Sequence, residues 1–169
     1  MKHVKGNIFD SDADAILHQV NCQGVMGSGV AKQVRERFPT VFQYYKSLCE
    51  YDKQVMADRG LTKSTLLGRI QVVHKEDYTV RVKDKDVSPQ VIVNLFAQDK
   101  YGYDGSCYTD YDALRMCLDQ VNKKFSGKKV AIPYLMACHR GGGDWSVVSK
   151  MIEETLVDCD VTLYEYCGG

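Results

Sequence analysis

Short apolar and β-branched runs alternate with longer amphipathic stretches along this chain, and this alternation restricts the possible folds more than any other feature. The runs typical of strands are AILHQV, LLGRIQVVH, TVRVK, VIVNLFAQ, KKVAIPYLM and VTLYEYC. The stretches typical of helices are VAKQVRERF, VFQYYKSLCEYDKQVM, YTDYDALRMCLDQVNKKF and WSVVSKMIEETLVD, with Pro39 separating the first two. The order predicts an α/β fold, a three-layer α/β/α sandwich with a central mixed sheet.

The length, the net charge and the lack of long apolar runs further restrict the class of protein that this chain can be. A chain of 169 residues with 44% hydrophobic residues has the size of one domain, which we expect to span residues 1–169. The formal net charge of zero gives no electrostatic sign of a nucleic-acid partner. No apolar run reaches the roughly 18 residues that span a membrane, and MKHVKGNIFD lacks the apolar core of a signal peptide. We therefore expect a cytoplasmic protein without a membrane partner.

The seven cysteines do not form a recognisable metal-binding pattern. Their number is odd, their spacing is irregular, and no C-x-x-C pair is present. Zinc sites usually show paired ligands at short spacing. The pattern therefore predicts free thiols in a reducing compartment, and no metal site.

A first glycine-rich loop lies between an expected strand and an expected helix. The stretch VNCQGVMGSGVAKQVRERFP places Gly24, Gly27 and Gly29 between the strand that ends near Val20 and the following helix. Glycine lets the backbone approach a ligand closely. The helix N-terminus behind the loop presents free N–H groups and a partial positive charge. This junction favours a phosphate or diphosphate ligand.

A second glycine-rich loop, ACHRGGGDW, follows KKVAIPYLM and again precedes a helix, which Asp144 is placed to cap. Ligands of open α/β sheets bind at the carboxyl ends of strands, so the two loops are placed to hold one ligand from both sides. Neither loop matches a common nucleotide motif. Gly29 is followed by Val30 instead of Lys-Ser/Thr, and Lys32 stands where a dinucleotide fingerprint has its third glycine.

These residues resemble the macrodomain family of ADP-ribose-binding α/β/α modules. The matching pattern is VKGNIFDSDADAILHQVNCQGVMGSGVAKQVRERFP, then LLGRIQVV, VIVNLFAQDKYG and IPYLMACHRGGGDW. It covers nearly the whole chain. It looks closest to the branch of the yeast ADP-ribose 1″-phosphate phosphatase and the glutamate-linked ADP-ribose hydrolases. The resemblance implies a mixed sheet between helices and one deep cleft for ADP-ribose.

The resemblance also implies which residues bind the ligand. Asn7 and Ile8 are expected beside the adenine, where relatives commonly have Asp in place of Asn7. The loop expected near the distal ribose and diphosphate comprises Asn21, Val25, Met26, Gly27, Ser28, Gly29, Val30 and Ala31. The facing loop comprises Cys138, His139, Arg140, Gly141, Gly142 and Gly143. Phe96 is expected either on the ribose side of the cleft or in the core.

The catalytic residues implied by the resemblance are His18, as a general acid or base, and Asn21, which would orient a ribose hydroxyl or a water. His18 is as readily explained as a core histidine. The glutamate-linked hydrolases use a Lys after the strand matching NLFAQ and an Asp in the second loop. Gln98 and Arg140 stand at those places, and neither side chain can perform the role of the residue it replaces.

The sequence therefore predicts an ADP-ribose-binding macrodomain that hydrolyses a substituent on the distal ribose. Candidate substrates are ADP-ribose 1″-phosphate and ADP-ribosylated carboxylates or nucleobases, and no cofactor is expected. Three alternatives stay open. They are a binding module without turnover, a NAD-dependent oxidoreductase, and a cysteine hydrolase that uses Cys22 or Cys138.

Overall fold

The computed structural model describes residues 1–74 and 91–166, which form six strands and four α-helices. The strands are β1 Lys2–Lys5, β2 Ala15–Asn21, β3 Ile70–His74, β4 Val91–Gln98, β5 Lys129–Pro133 and β6 Asp160–Glu165. The helices are α1 Gly29–Arg37, α2 Pro39–Arg59, α3 Tyr111–Lys124 and α4 Trp145–Thr155, and a 3-10 turn spans Ile8–Asp10. One predicted strand, TVRVK, lies outside the described residues.

The strands form one mixed sheet in the order β1-β6-β5-β2-β4-β3. All neighbours are parallel except β3 and β4, which pair antiparallel. The predicted α/β/α sandwich with a mixed sheet is therefore confirmed. The strand order and the antiparallel edge differ from the doubly wound parallel sheet of dinucleotide-binding enzymes, which removes the fold-level support for an oxidoreductase.

Side-chain alternation along the central strands divides the core into two apolar layers. On β2, Ala15 and Leu17 face one layer, beneath α3 and α4, while Ile16 and Val20 face the other, beneath α1 and α2. Every residue of β4 is buried, as expected for a strand covered on both faces. The two layers hold the carboxyl ends of the parallel strands at one edge of the sheet.

The boundaries of the first two helices follow from backbone chemistry. Pro39 occupies the first turn of α2, where its missing N–H costs nothing, and α1 ends at Arg37 just before it. At the far end of α2, Gly60 adopts φ +63° and closes the helix in the left-handed conformation.

The prediction for KKVAIPYLM was wrong at its carboxyl end. We expected a strand through Met136, but β5 ends at Pro133 and the chain turns immediately afterwards. Leu135 and Ala137 adopt φ values of +62° and +71°, which no strand permits. The apolar side chains of this segment reflect burial at the edge of the core and not extended structure.

None of the helices in residues 1–74 and 91–166 combines the length and apolar character needed to cross a membrane. Within the same ranges, no group of three or more His, Cys, Asp or Glu side chains is placed to hold a metal ion.

Candidate active site

A cavity of about 490 Å³ opens at the edge of the sheet where the parallel strands end. Its wall is formed by the segments that follow β1, β2, β4 and β5 and by the end of β6. The lining comprises residues 6–8, 18–21, 25, 27–31, 33, 98, 101–103, 133–137, 139–141 and 164–166. Both glycine-rich loops therefore reach one cavity, which has the size of a typical small-molecule site.

Asn21, the last residue of β2, shapes the first loop from inside. Its Nδ2 donates to the carbonyl of Val25 at 2.8 Å, and its Oδ1 accepts from the amide of Gln23 at 2.9 Å. The hydroxyl of Tyr45, buried on α2, donates to the same Oδ1 at 2.7 Å. Both ends of the Asn21 amide are thus engaged by the loop and its support, and Asn21 acts as a brace for the backbone that lines the cavity.

The N-terminus of α1 opens into the cavity without a side-chain cap. Ser28 is the N-cap residue but makes no capping hydrogen bond, and Gly29, Val30 and Ala31 line the cavity. By contrast, Asp110 caps α3 and Asp144 caps α4 through their carboxylates. The first N–H groups of α1 are therefore available to a ligand, and the helix dipole favours a negatively charged one.

The second loop follows β5 and folds tightly over Ala137. The carbonyl of Ala137 accepts from the amide of Gly143 and from the Oγ1 of Thr109, both at 2.9 Å. A Cβ on Gly141 would stand 2.6 Å from that carbonyl and 2.5 Å from Thr109 Oγ1. Only glycine fits at position 141, because any side chain would push the loop away from its support.

An amide network joins this loop to the end of β4. The Nε2 of Gln19 donates to Gln98 Oε1 at 2.8 Å and to Thr109 Oγ1 at 2.9 Å, while Gln98 Nε2 donates to the carbonyl of Lys100 at 3.0 Å. Gln98 is therefore a structural residue in the cavity wall. Lys100 is exposed and Asp99 lies outside the lining, so neither supplies an amine or carboxylate there.

His18 lines the cavity from β2, with only 2% of its surface exposed. Its Nε2 lies 2.5 Å from Asn94 Oδ1 on the neighbouring strand, and its Nδ1 has no hydrogen-bond partner among the described residues. Burial lowers the pKa of the imidazole from 6.5 to about 4. The ring is therefore neutral at physiological pH.

The predicted binding residues separate into two groups. Those that line the cavity are Asn7, Ile8, Asn21, Val25, Gly27, Ser28, Gly29, Val30, Ala31, His139, Arg140 and Gly141, together with His18. Met26 and Phe96 are buried in the layer beneath α1 and α2, and Cys138, Gly142 and Gly143 do not line the cavity. Side-chain alternation along β4 directs Phe96 into this layer, and the Met26 side chain is buried in the same layer.

Asn7, which was predicted to lie beside the adenine, also stabilises a local turn. Asn7 Oδ1 accepts from the amide of Phe9 at 3.0 Å and so caps the 3-10 turn Ile8–Asp10. In the structure this oxygen stabilises the turn that brings Ile8 to the wall.

The two candidate nucleophilic thiols are unsuited to that role. Burial raises the pKa of Cys22 to about 12 and that of Cys138 to about 11, so both are protonated at neutral pH. Neither lines the cavity. The structure gives no support to the cysteine hydrolase.

Several lining residues were missed at the level of sequence. Tyr134–Met136 belong to the turn that was taken for strand, and Tyr164–Tyr166 lie at the end of β6 beside Gly6, whose amide donates to the carbonyl of Glu165. One signal was available. Both segments lie at the carboxyl ends of parallel strands, which is where ligands bind.

A mixed sheet between two helix layers, with a cavity formed by two glycine-rich loops at the carboxyl ends of its strands, defines a macrodomain. The comparisons with known proteins support the same class, and the chain has the macrodomain fold. No family model matches the sequence.

The particular relatives are proteins of ADP-ribose chemistry. The chain is 29% identical over 167 residues to the DNA ADP-ribosyl glycohydrolase of Mycobacterium tuberculosis, covering 97% of this chain and 42% of that protein. It is 38% identical over 48 residues to the ADP-ribose 1″-phosphate phosphatase of Neosartorya fischeri, covering 28% and 24% of the two chains. The solved macrodomain of Thermus aquaticus DarG superposes with a TM-score of 0.67 at 26% identity, over 99% and 97%. The chain thus spans about two-fifths of the length of the first of these relatives.

Proposed function

We propose that this macrodomain binds ADP-ribose in the cavity and hydrolyses a substituent on its distal ribose. The observation that carries the proposal is the uncapped N-terminus of α1, which opens into a cavity faced by the second glycine-rich loop. A diphosphate satisfies the open N–H groups of Gly29–Ala31 and is attracted by the helix dipole. The names of the relatives identify ADP-ribose as the diphosphate that fits such a site.

The residues that line the cavity support one orientation of the ligand. Asn7 and Ile8 lie at one end with Tyr164–Tyr166, and this end receives the adenine. His18, Gln98 and Tyr101 line the cavity on β2, on β4 and on the segment after β4, and we assign the distal ribose to this part. The substituent then leaves past the rim that carries Arg140.

A nucleobase is the substituent favoured by the comparisons. Similarity to the DNA ADP-ribosyl glycohydrolase extends over 97% of this chain, whereas similarity to the phosphatase extends over 28%. In such a reaction water forms the new C1″–O bond, the bond from C1″ to the base breaks, and the base leaves with a proton. ADP-ribosylated DNA is therefore the proposed partner. A cytoplasmic location stays a prediction.

A binding module without turnover is the second candidate. The described lining contains no Lys and no Asp, its Gln98 is tied into the wall, and its His18 is neutral. Within the described residues, the cavity therefore lacks the Lys amine and the Asp carboxylate that the glutamate-linked hydrolases use. The residues proposed to bind the diphosphate are still present. An assay of substrate turnover distinguishes the hydrolase from the binding module.

Calorimetry with ADP-ribose, using NAD and AMP as comparison ligands, tests the binding site. Gly29→Glu places a carboxylate at the helix terminus and should abolish binding. Gly60→Glu is the matched control, because Gly60 has a similar φ (+63° against +58°), has equally open space at its Cβ, and lies outside the cavity. Equal loss in both variants, or no binding by the wild type, would contradict the proposal.

A second assay decides between hydrolase and binding module. The wild-type protein is incubated with a single-stranded oligonucleotide that carries ADP-ribose on a base, and separately with ADP-ribose 1″-phosphate. Release of free ADP-ribose, followed by mass spectrometry, supports the hydrolase and identifies the substituent. Binding of both substrates without release supports the module.

A further inference from the structure

Three polar side chains form a row across three strands inside an otherwise apolar layer. His18 on β2 pairs in register with Asn94 on β4, and Asn94 pairs in turn with Gln71 on β3. Around them, the layer beneath α1 and α2 is built from residues such as Ile92 and Phe96. Asn94 is fully buried. Burying amides in an apolar layer is costly unless they are paired, so this row needs a specific explanation.

The hydrogen bonds in the row run in one direction. Asn94 Nδ2 donates to Gln71 Oε1 at 3.0 Å, which turns Asn94 Oδ1 toward His18. A carbonyl oxygen only accepts, so the hydrogen of the imidazole must sit on Nε2. The other ring nitrogen, Nδ1, then carries a lone pair, is buried, and has no partner among the described residues.

We propose that Gln71 and Asn94 hold His18 as the neutral Nε2–H tautomer, so that its Nδ1 accepts a hydrogen bond from a hydroxyl group of the bound sugar or from a water beside it. The inference rests on the proposed function and deepens it. Gln71 and Asn94 are positioning residues, and His18 is a fixed acceptor in the cavity wall.

The electrostatics of His18 disfavour the opposite role, that of a general acid. Burial lowers the imidazole pKa to about 4, with the hydrogen bond to Asn94 opposing that shift and no charged group contributing. About one molecule in a thousand would carry imidazolium at pH 7. A general acid must hold its proton at the working pH, and His18 does not. A neutral acceptor, by contrast, is available at every pH above the folded-state pKa.

The tautomer is measured directly by two-bond ¹H–¹⁵N NMR spectra of the wild-type protein. The signals of His18 are identified as those missing from His18→Gln, since the chain has four histidines. We expect a protonated Nε2 and an unprotonated Nδ1. The reverse pattern would mean that the amides of Asn94 and Gln71 are both turned around, and it would overturn the proposal.

Two variants test the positioning residues. Asn94→Asp places a carboxylate beside Nε2 and should raise the pKa of His18 by at least about one unit, since an opposite charge within about 4–6 Å favours imidazolium. Gln71→Leu removes the anchor of Asn94 and should give a mixture of tautomers. Gln54→Leu is the matched control, because Gln54 is exposed on α2 and bonds only Asp58. A His18 spectrum unchanged in Asn94→Asp and Gln71→Leu would refute the positioning role.

Addition of ADP-ribose completes the test. The ¹⁵N resonance of Nδ1 should move when a ligand hydroxyl or a ligand-held water donates to it. An unmoved Nδ1 resonance in ligand-saturated protein overturns the acceptor role. Failure of the proposed function has a different signature, namely no calorimetric binding of ADP-ribose by the wild type.

Discussion

The guanidinium carbon of Arg140 lies 4.6 Å from the centre of the Tyr103 ring, at the mouth of the cavity. The two residues belong to different loops, one after β4 and one after β5. The Tyr103 hydroxyl also lies 3.9 Å from the position of a Cβ on Gly27 in the first loop. The contact therefore joins the three segments that surround the proposed site of the distal ribose.

This bridge predicts a kinetic effect on ligand release. An exposed cation–π contact is worth about 0.5–1 kcal/mol, which corresponds to about a two- to fivefold change in a rate. Tyr103→Leu should speed ADP-ribose dissociation by that factor in stopped-flow displacement. Tyr103→Phe keeps the ring and should release ligand at the wild-type rate. Equal rates in Tyr103→Leu and wild type would show that the bridge does not retain the ligand.

The tight packing at Gly141 predicts a stability defect. A Cβ there meets the Ala137 carbonyl at 2.6 Å, so Gly141→Ala must displace the loop. We expect a loss of about 1–3 kcal/mol in the free energy of unfolding, measured in urea. Gly6→Ala is the control, because a Cβ on Gly6 meets nothing within 4 Å. A Gly141→Ala variant as stable as Gly6→Ala would contradict the packing argument.

His18 predicts a pH dependence of stability. Its pKa is about 4 in the folded state, against 6.5 for an imidazole exposed to water, so the unfolded chain binds more protons between these values. Above pH 6.5 the titration of His18 does not reduce the free energy of unfolding. As the pH falls from 6.5 toward 4, protonation of His18 in the unfolded chain lowers the free energy of unfolding. We expect about 2 kcal/mol less stability at pH 5 than at pH 7 from this residue alone.

The control for the pH dependence of stability is the His18→Leu variant, which has no titratable side chain at position 18. Urea unfolding of both proteins at pH 5 and pH 7 isolates the contribution of the histidine. Identical pH dependence in the two proteins would mean that the His18 pKa is not lowered on folding.

The cysteines predict an order of chemical labelling. Cys107 is exposed, whereas Cys22, Cys49 and Cys117 are buried, and burial raises the pKa of each of these three thiols. Among the cysteines in residues 1–74 and 91–166, iodoacetamide should modify Cys107 first in the native protein, as followed by peptide mass spectrometry. Binding of ADP-ribose should survive this modification. Early labelling of Cys22 would instead indicate a reactive thiolate and reopen the cysteine hydrolase.

Much of the fold could be predicted because its signals are local. Apolar runs such as VIVNLFAQ and the break at Pro39 report strand burial and helix boundaries within a few residues. The end of β5 could not be predicted this way. Leu135 and Ala137 adopt left-handed backbone angles, against their intrinsic preference, because the packed turn around the Ala137 carbonyl holds them there.

The sequence by itself determined the α/β class and the two glycine-rich loops at strand ends, since periodicity and glycine placement act over short distances. Only the tertiary structure decided which side chains form the cavity wall. Met26 and Phe96 are turned into the core, and the contact of His18 with Asn94 joins residues 76 positions apart. Such a contact depends on strand register and on burial from both sides of the sheet, and no local pattern encodes either one.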